Sequence, residues 1–212
     1  MVGLARAGRR VVRLKGGDPT IFGRAAEEIA ACRQAGVTVE VVPGITAAQG
    51  AASRLGVSLS QRSEARRVQF VTGHGSDGRL PDDLDWPSLA DARATTALYM
   101  PARTLAEFAA KVIAAGLDPA TPAIAVSRAT RPDESQVAAP LASLPARLAA
   151  AEMPGPVLVL IGRALGQAMS QAKETAPPTR QNAQPARRPP APGAVRNRPI
   201  SQMNSIGCGG RI

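Results

Sequence analysis

The chain has 212 residues, room for one large domain or two small ones, and is 44% apolar but only 2% aromatic. Its core must therefore be built from Ala, Val, Leu and Ile, which suits helices packed on a sheet. The formal charge of +10 suggests nucleic acid, yet from Lys173 onward one Lys and six Arg face one Glu, a net of +6, which leaves +4 for the body. Nucleic acid is thus not expected as a partner, although a mildly basic body favours an anionic substrate.

No run approaches the roughly 20 apolar residues that span a bilayer, so no membrane partner is expected. The arginine-bearing start has no apolar signal-peptide core. Cys32 and Cys208 fit no metal, redox or disulfide spacing. The expectations are a cytoplasmic protein with no metal. The single Trp86 and single Tyr99 read as packing residues without chemistry.

In chain order, residues 2–10 read as the last turns of a helix closed by Gly8, with arginines at its negative end. Val11 to Leu14 reads as a short buried strand, Gly16-Gly17-Asp18-Pro19 as a sharp turn, and Asp18-Pro19 or Gly23 as a helix start. Arg24 to Ala35 is rich in helix formers and stops at Gly36. Thr38 to Val42 is rich in β-branched residues and reads as a strand, which completes a βαβ unit with parallel pairing. Pro43-Gly44 then turns into an alanine-rich helix, Ile45 to Leu55, ended by Gly56. Two such turns side by side at the carboxyl ends of neighbouring strands would make a binding crevice.

The polar stretch Ser58 to Arg67 reads as a connection holding a domain boundary. Beyond it come a strand at Val68–Gly73, an acidic loop at 76–85, and a strand at Thr95–Met100. A helix follows at Thr104–Ala115, with Thr104 and Glu107 as a capping box. Strands at Pro122–Val126 and Gln136–Pro140, a short helix at Leu144–Ala151 and a buried strand at Pro156–Gly162 close the unit. Residues 173–212 hold seven prolines and few apolar residues, the composition of a disordered tail. His74 reads as a structural or surface residue, and Asp82, Asp83 and Asp85 as solvated.

The Gly16–Pro19 turn is neither a Walker loop nor a dinucleotide fingerprint, because both spacings are absent. On its own it is a tight βα turn. The longer string is more specific. Val12-Arg13-Leu14-Lys15-Gly16-Gly17-Asp18-Pro19, with Ile21-Phe22-Gly23-Arg24 and Glu27-Glu28, closely resembles the uroporphyrinogen-III C-methyltransferase family among the tetrapyrrole methylases. Val41-Val42-Pro43-Gly44-Ile45-Thr46-Ala47-Ala48, Phe70-Val71-Thr72-Gly73-His74, Tyr99-Met100 and Val159-Leu160-Ile161-Gly162-Arg163 extend the likeness, which runs from Arg9 to about Leu165.

The resemblance implies an S-adenosyl-L-methionine-dependent transferase that methylates uroporphyrinogen III twice to give precorrin-2, on the route to sirohaem and cobalamin, and that works as a homodimer. It implies an α/β fold: the remnant of a first domain at 1–63, a complete second α/β domain at 64–166, and a disordered basic tail at 167–212. Carried across, Gly16, Gly17, Asp18 and Ile21 line the cofactor, Thr46 and Ala47 meet it from the second turn, and Met100 packs near the adenine. Ala129 stands where the family has a Gly. Arg54, Ser58 and Ser60-Gln61-Arg62 also depart from the pattern. The family's glycine-rich N-terminal motif and proton-transfer residues lie upstream of Val11, so catalytic residues stay unassigned and the chain is expected to be N-terminally truncated and weak or inactive. Arg24, Arg62 and Arg128 are alternative contacts for substrate carboxylates. The alternatives are another precorrin methyltransferase, or a non-catalytic interaction protein with a basic tail.

Overall fold

The computed structural model describes residues 1–75 and 77–174. The body is a five-stranded mixed sheet of β1 (Arg67–Thr72), β2 (Ala94–Tyr99), β3 (Pro122–Ser127), β4 (Ser135–Pro140) and β5 (Val157–Ile161). The spatial order is β1-β2-β5-β3-β4. β1 and β2 run parallel, whereas β5 is antiparallel to both β2 and β3, and β4 is antiparallel to β3. β1, β2 and β3 therefore end at one edge of the sheet, which is where the site lies.

Alternation along the strands divides the core into two layers. Leu98, Ala123, Ala125, Val159 and Ile161 face α5 (Leu105–Ala114) and α6 (Leu144–Ala150), whose Phe108, Val112, Leu144 and Leu148 complete that layer. Ala97, Ile124, Val126, Leu158 and Leu160 face α3 (Ala47–Leu55), whose Ala48 and Ala51 pack against them, and α7 (Gly166–Glu174) through Ala168. Covering both faces explains why β5 reads Val-Leu-Val-Leu-Ile without a polar residue. Each such side chain removed from water contributes roughly 1.5–3 kcal/mol. α4 (Trp86–Leu89) is N-capped by Asp85, which accepts the Ser88 amide. Trp86 packs on Phe108 at 5.6 Å between ring centroids.

The second α/β unit thus forms with the expected strands. The first βαβ unit does not. Helices α1 (Val2–Arg6) and α2 (Ala25–Gln34) are present, but Val11–Leu14 and Thr38–Val42 are unpaired extended chain. No backbone amide in either segment donates to another backbone group. A strand needs a neighbour to satisfy its polar groups, and no described segment supplies one.

Three local expectations are also corrected. Asp18 does not cap α2; Arg24 precedes it in a left-handed conformation with φ of 55°. Thr104 does not pair with Glu107, because its hydroxyl donates to the Gly73 carbonyl and so ties the start of α5 to the end of β1. Residues 167–174, expected within the tail, continue α7, which the burial of Ala168 holds to the core. The rest of the tail, with Cys208, lies outside the described residues.

Candidate functional site

The first turn folds upon Asp18. Its Oδ1 accepts the Thr20 amide at 2.8 Å and the Thr20 hydroxyl, and its Oδ2 accepts the Gly44 amide of the second turn at 2.9 Å. These bonds, the Gly44 amide first, hold the carboxyl below the usual aspartate range. The two turns touch backbone to backbone. A Cβ on Gly44 would lie 3.1 Å from the Asp18 amide and the Gly17 carbonyl, and one on Gly17 would lie 3.3 Å from the Ile45 carbonyl. A side chain at either glycine would thus crowd the backbone of the other turn. Gly16 faces open space.

The first turn is also fastened to α2. Lys15 Nζ binds Glu28 at 2.7 Å and donates to the Gly23 carbonyl, while Arg13 holds the other Glu28 oxygen at 3.1 Å. In the second turn Thr46 starts α3. Its hydroxyl accepts the Gln49 amide, and its own amide donates to Gln49 Oε1 at 3.0 Å, a reciprocal capping box. Thr46 is consequently buried and committed to the helix end.

Tyr99, at the end of β2, joins both turns to the sheet. Its ring packs against Phe22 in a tilted pair with centroids 4.8 Å apart, and meets Phe70 of β1 edge-on at 6.0 Å. Its hydroxyl oxygen accepts the Ala48 amide of α3 at 3.3 Å. A side chain expected only to pack is the hinge of the site. Phe22, Gln49 and Tyr99 were all missed as site residues, although the Thr46-Ala47-Ala48-Gln49 spacing of a capping box was readable.

Met100 follows Tyr99 with φ of 56°, half exposed, and its amide donates to the Val157 carbonyl at 3.2 Å. Such a conformation in a residue with a Cβ marks stored strain at a candidate site. Arg128 and Thr130, on either side of Ala129, share it with φ of 51° and 70°. Ala129 packs against the layer of α3. Thr130 Cγ2 lies 3.0 Å from the position of a Cβ on Gly50, and Arg54 of α3 meets Glu134 at 3.4 Å. The ends of β2 and β3 are thereby knitted to the second turn through their neighbours Tyr99 and Thr130.

The expected residues therefore lie together around the two turns. Gly17, Asp18, Thr46 and Ala47 belong to one locked pair of turns. Ile21 continues the first turn, its amide bonded to the Asp18 carbonyl at 3.4 Å. Met100 and Ala129 flank the turns from the sheet edge. The Gly16, Gly17 and Ala47 amides donate to no acceptor among the described residues, so three donors remain for a ligand. Of the candidate carboxylate contacts, Arg24 is paired with Glu27 and Arg128 with Asp133, and Arg62 is exposed. His74 lies at the surface, where its carbonyl accepts the Thr72 hydroxyl.

The family description Tetrapyrrole (Corrin/Porphyrin) Methylases matches residues 1–145. The chain belongs to the tetrapyrrole methylase family. It is 46% identical over 169 residues to the uroporphyrinogen-III C-methyltransferase of Paracoccus denitrificans, covering 79% of this chain and 58% of that protein. It is 48% identical over 160 residues to a siroheme synthase of Gluconacetobacter diazotrophicus, covering 75% of this chain and 34% of that protein. This tetrapyrrole methylase thus spans about a third of the length of the siroheme synthases it matches. Among solved structures, a uroporphyrin-III C-methyl transferase from Thermus thermophilus complexed with S-adenyl homocysteine is 35% identical, with a TM-score of 0.65. The alignment covers 78% of this chain and 71% of that one. A cobalt precorrin-4 methyltransferase is 28% identical with a TM-score of 0.70, covering 77% and 70%.

Proposed function

We propose that this chain provides the S-adenosylmethionine crevice of a uroporphyrinogen-III C-methyltransferase. The observation that carries the reading is the locked pair of glycine turns, joined by Asp18 and Gly44 and tied to the strand ends by Tyr99. The residues present suit the cofactor: small side chains at Gly16, Gly17 and Ala47 leave their amides open to a zwitterion. The Ala47 amide, at the first position of nine-residue α3, suits the ligand's carboxylate. Met100, Ile21 and the backbone at Ala129 flank its apolar parts, and Thr46 and Asp18 hold the turns that present the donors.

The bound cofactor would supply a methyl group on a sulfonium sulfur, transferred in line to a pyrrole carbon. The chain's contribution is orientation, because a rigid crevice converts an encounter into a positioned one. Proton removal has no assigned residue. Arg24, Arg62 and Arg128 are the cations proposed for the carboxylates of the substrate, and Arg24 and Arg128 would exchange Glu27 and Asp133 for them. We further propose division at residue 63 between the turns and the sheet domain, homodimer formation and a cytoplasmic location. Among the described residues no helix is long and apolar enough to cross a membrane.

Titration calorimetry with S-adenosyl homocysteine tests the reading. Saturable binding of one ligand per chain is expected. No saturable heat at millimolar ligand, from chain that retains its helical and strand signature, would overturn it.

A further inference from the structure

The loop between β3 and β4 buries one carboxylate. The Glu134 side chain is only 7% exposed, although Arg131, Pro132 and Asp133 before it are exposed. Its Oε2 accepts the Thr130 amide at 2.6 Å, and its Oε1 accepts the Gln136 side-chain amide at 2.9 Å. Arg54, near the end of α3, approaches the two oxygens at 3.4 and 3.5 Å. Burial pushes the carboxyl up, but the Thr130 amide, then Gln136 and Arg54, outweigh it and hold it below the usual glutamate range. The carboxylate is therefore charged. Of its partners the Thr130 amide counts most, because that bond is short and charge-assisted. Arg54 is 58% exposed, and water screens its longer contact.

Thr130 is a residue that needs such a bond. It is β-branched with φ of 70°, a conformation that persists only where the surroundings impose it. Arg128 shares that region at 51°, so Ala129 lies between two left-handed residues. The Arg128 amide is held by the Pro156 carbonyl at 3.4 Å, and the Ala129 amide donates to no acceptor among the described residues. The tie on the Thr130 amide comes from Glu134. The segment also lies against α3, where Thr130 Cγ2 is 3.0 Å from the position of a Cβ on Gly50. We propose that Glu134 is a positioning residue of the cofactor crevice. Through the Thr130 amide, its carboxylate holds residues 128–130 in their strained course against α3 and so fixes where the Ala129 backbone meets the ligand. Glu134 itself touches neither ligand nor reacting atoms. The inference rests on the cofactor reading and adds to it a residue outside the two turns.

The test is titration calorimetry with S-adenosyl homocysteine on the full chain and three variants. Glu134→Ala removes the acceptor and should weaken binding by roughly tenfold or more, the scale of a charge-assisted hydrogen bond. Glu134→Gln keeps a carbonyl oxygen for the Thr130 amide and should restore affinity to within about threefold of the unaltered chain. Arg54→Ala breaks the exposed ion pair, spares the amide bond, and should also stay within about threefold. Unaltered affinity in Glu134→Ala overturns the proposal, as does a Glu134→Gln variant that binds as weakly as Glu134→Ala. An Arg54→Ala variant that weak overturns it too, because the ion pair would then be the acting contact. No saturable binding by the unaltered chain overturns the cofactor reading and this inference with it, so the two failures are told apart. Hydrogen exchange in the unaltered, ligand-free chain gives a measurement that depends on no variant folding. After correction for intrinsic rates, the Thr130 amide should exchange about tenfold more slowly than the Ala129 amide, or slower still. A Thr130 amide as fast as that of Ala129 overturns the proposal.

Discussion

Asp18 accepts the amide of Gly44 at 2.9 Å across 26 residues of sequence, and so makes the two glycine turns one object. With its other oxygen occupied by Thr20, the carboxylate has no oxygen left that is unengaged. Asp18 thus locks the turns in this structure, beside the cofactor contact that the resemblance implies for it. Asp18→Ala should leave the sheet intact and weaken S-adenosyl homocysteine binding by roughly tenfold or more, the scale of losing a charge-assisted hydrogen bond. Calorimetry on the variant checks this. Unchanged affinity would remove Asp18 from the site.

The same lock sets a pH dependence. The folded carboxyl of Asp18 titrates below the unfolded value of about 3.9. A depressed folded value contributes stability that is fully present above the unfolded value and is lost as pH falls through the folded one. Exchange at the Gly44 amide should therefore be steady, after correction for intrinsic rates, from pH 7 down to about 4. Below that it should rise. Asp18→Asn should abolish the rise, and an unaltered rise in that variant would contradict the assignment.

Tyr99→Phe keeps the ring on Phe22 and removes only the oxygen that accepts the Ala48 amide. Ala48 is fully buried, so its amide loses its partner away from water. Denaturant unfolding should show a loss of about 1–3 kcal/mol. Tyr99→Ala should cost more, because the tilted contact with Phe22 and the edge contact with Phe70 go as well, adding about 0.5–1.5 kcal/mol per aromatic pair beyond area burial. Equal losses in the two variants would show that the hydroxyl contributes everything.

Gly50 sits inside α3, where Ala would ordinarily gain about 1 kcal/mol of helix propensity. Its Cβ would meet Thr130 Cγ2 at 3.0 Å, within a segment already strained at Arg128 and Thr130. Gly50→Ala should therefore be destabilising by on the order of 1 kcal/mol, overpacking outweighing propensity. Gly50→Ala combined with Thr130→Ser should be more stable than Thr130→Ser alone. A double-mutant cycle by thermal unfolding reads the sign, and strict additivity would contradict the contact.

How much of this was legible in the sequence depended on whether each element carried its own partner. β5 could be read outright, since five consecutive apolar residues between a proline and a glycine have few uses except a strand buried on both faces. Val11–Leu14 and Thr38–Val42 carried an equally good strand pattern, but pairing is a property of neighbours and none lies beside them among the described residues. The two turns were visible from their glycines, whereas the bond between Asp18 and Gly44 was not, because no local pattern records a contact across 26 positions. Thr104 illustrates the reverse error. Its spacing to Glu107 fits a capping box, yet the buried Gly73 carbonyl competes for the hydroxyl and wins. Tyr99 was undervalued as a lone aromatic, and only the fold places Phe22, Phe70 and Ala48 around it.

The central claim is that the paired turns hold the cofactor, and amide chemical shifts of the isotopically labelled chain test it most directly. On titration with S-adenosyl homocysteine, the account predicts saturable shifts at Gly16, Gly17, Ala47 and Met100, with β4 and α6 unmoved. Saturable shifts confined to other parts of the chain, with those four amides unmoved, would contradict it.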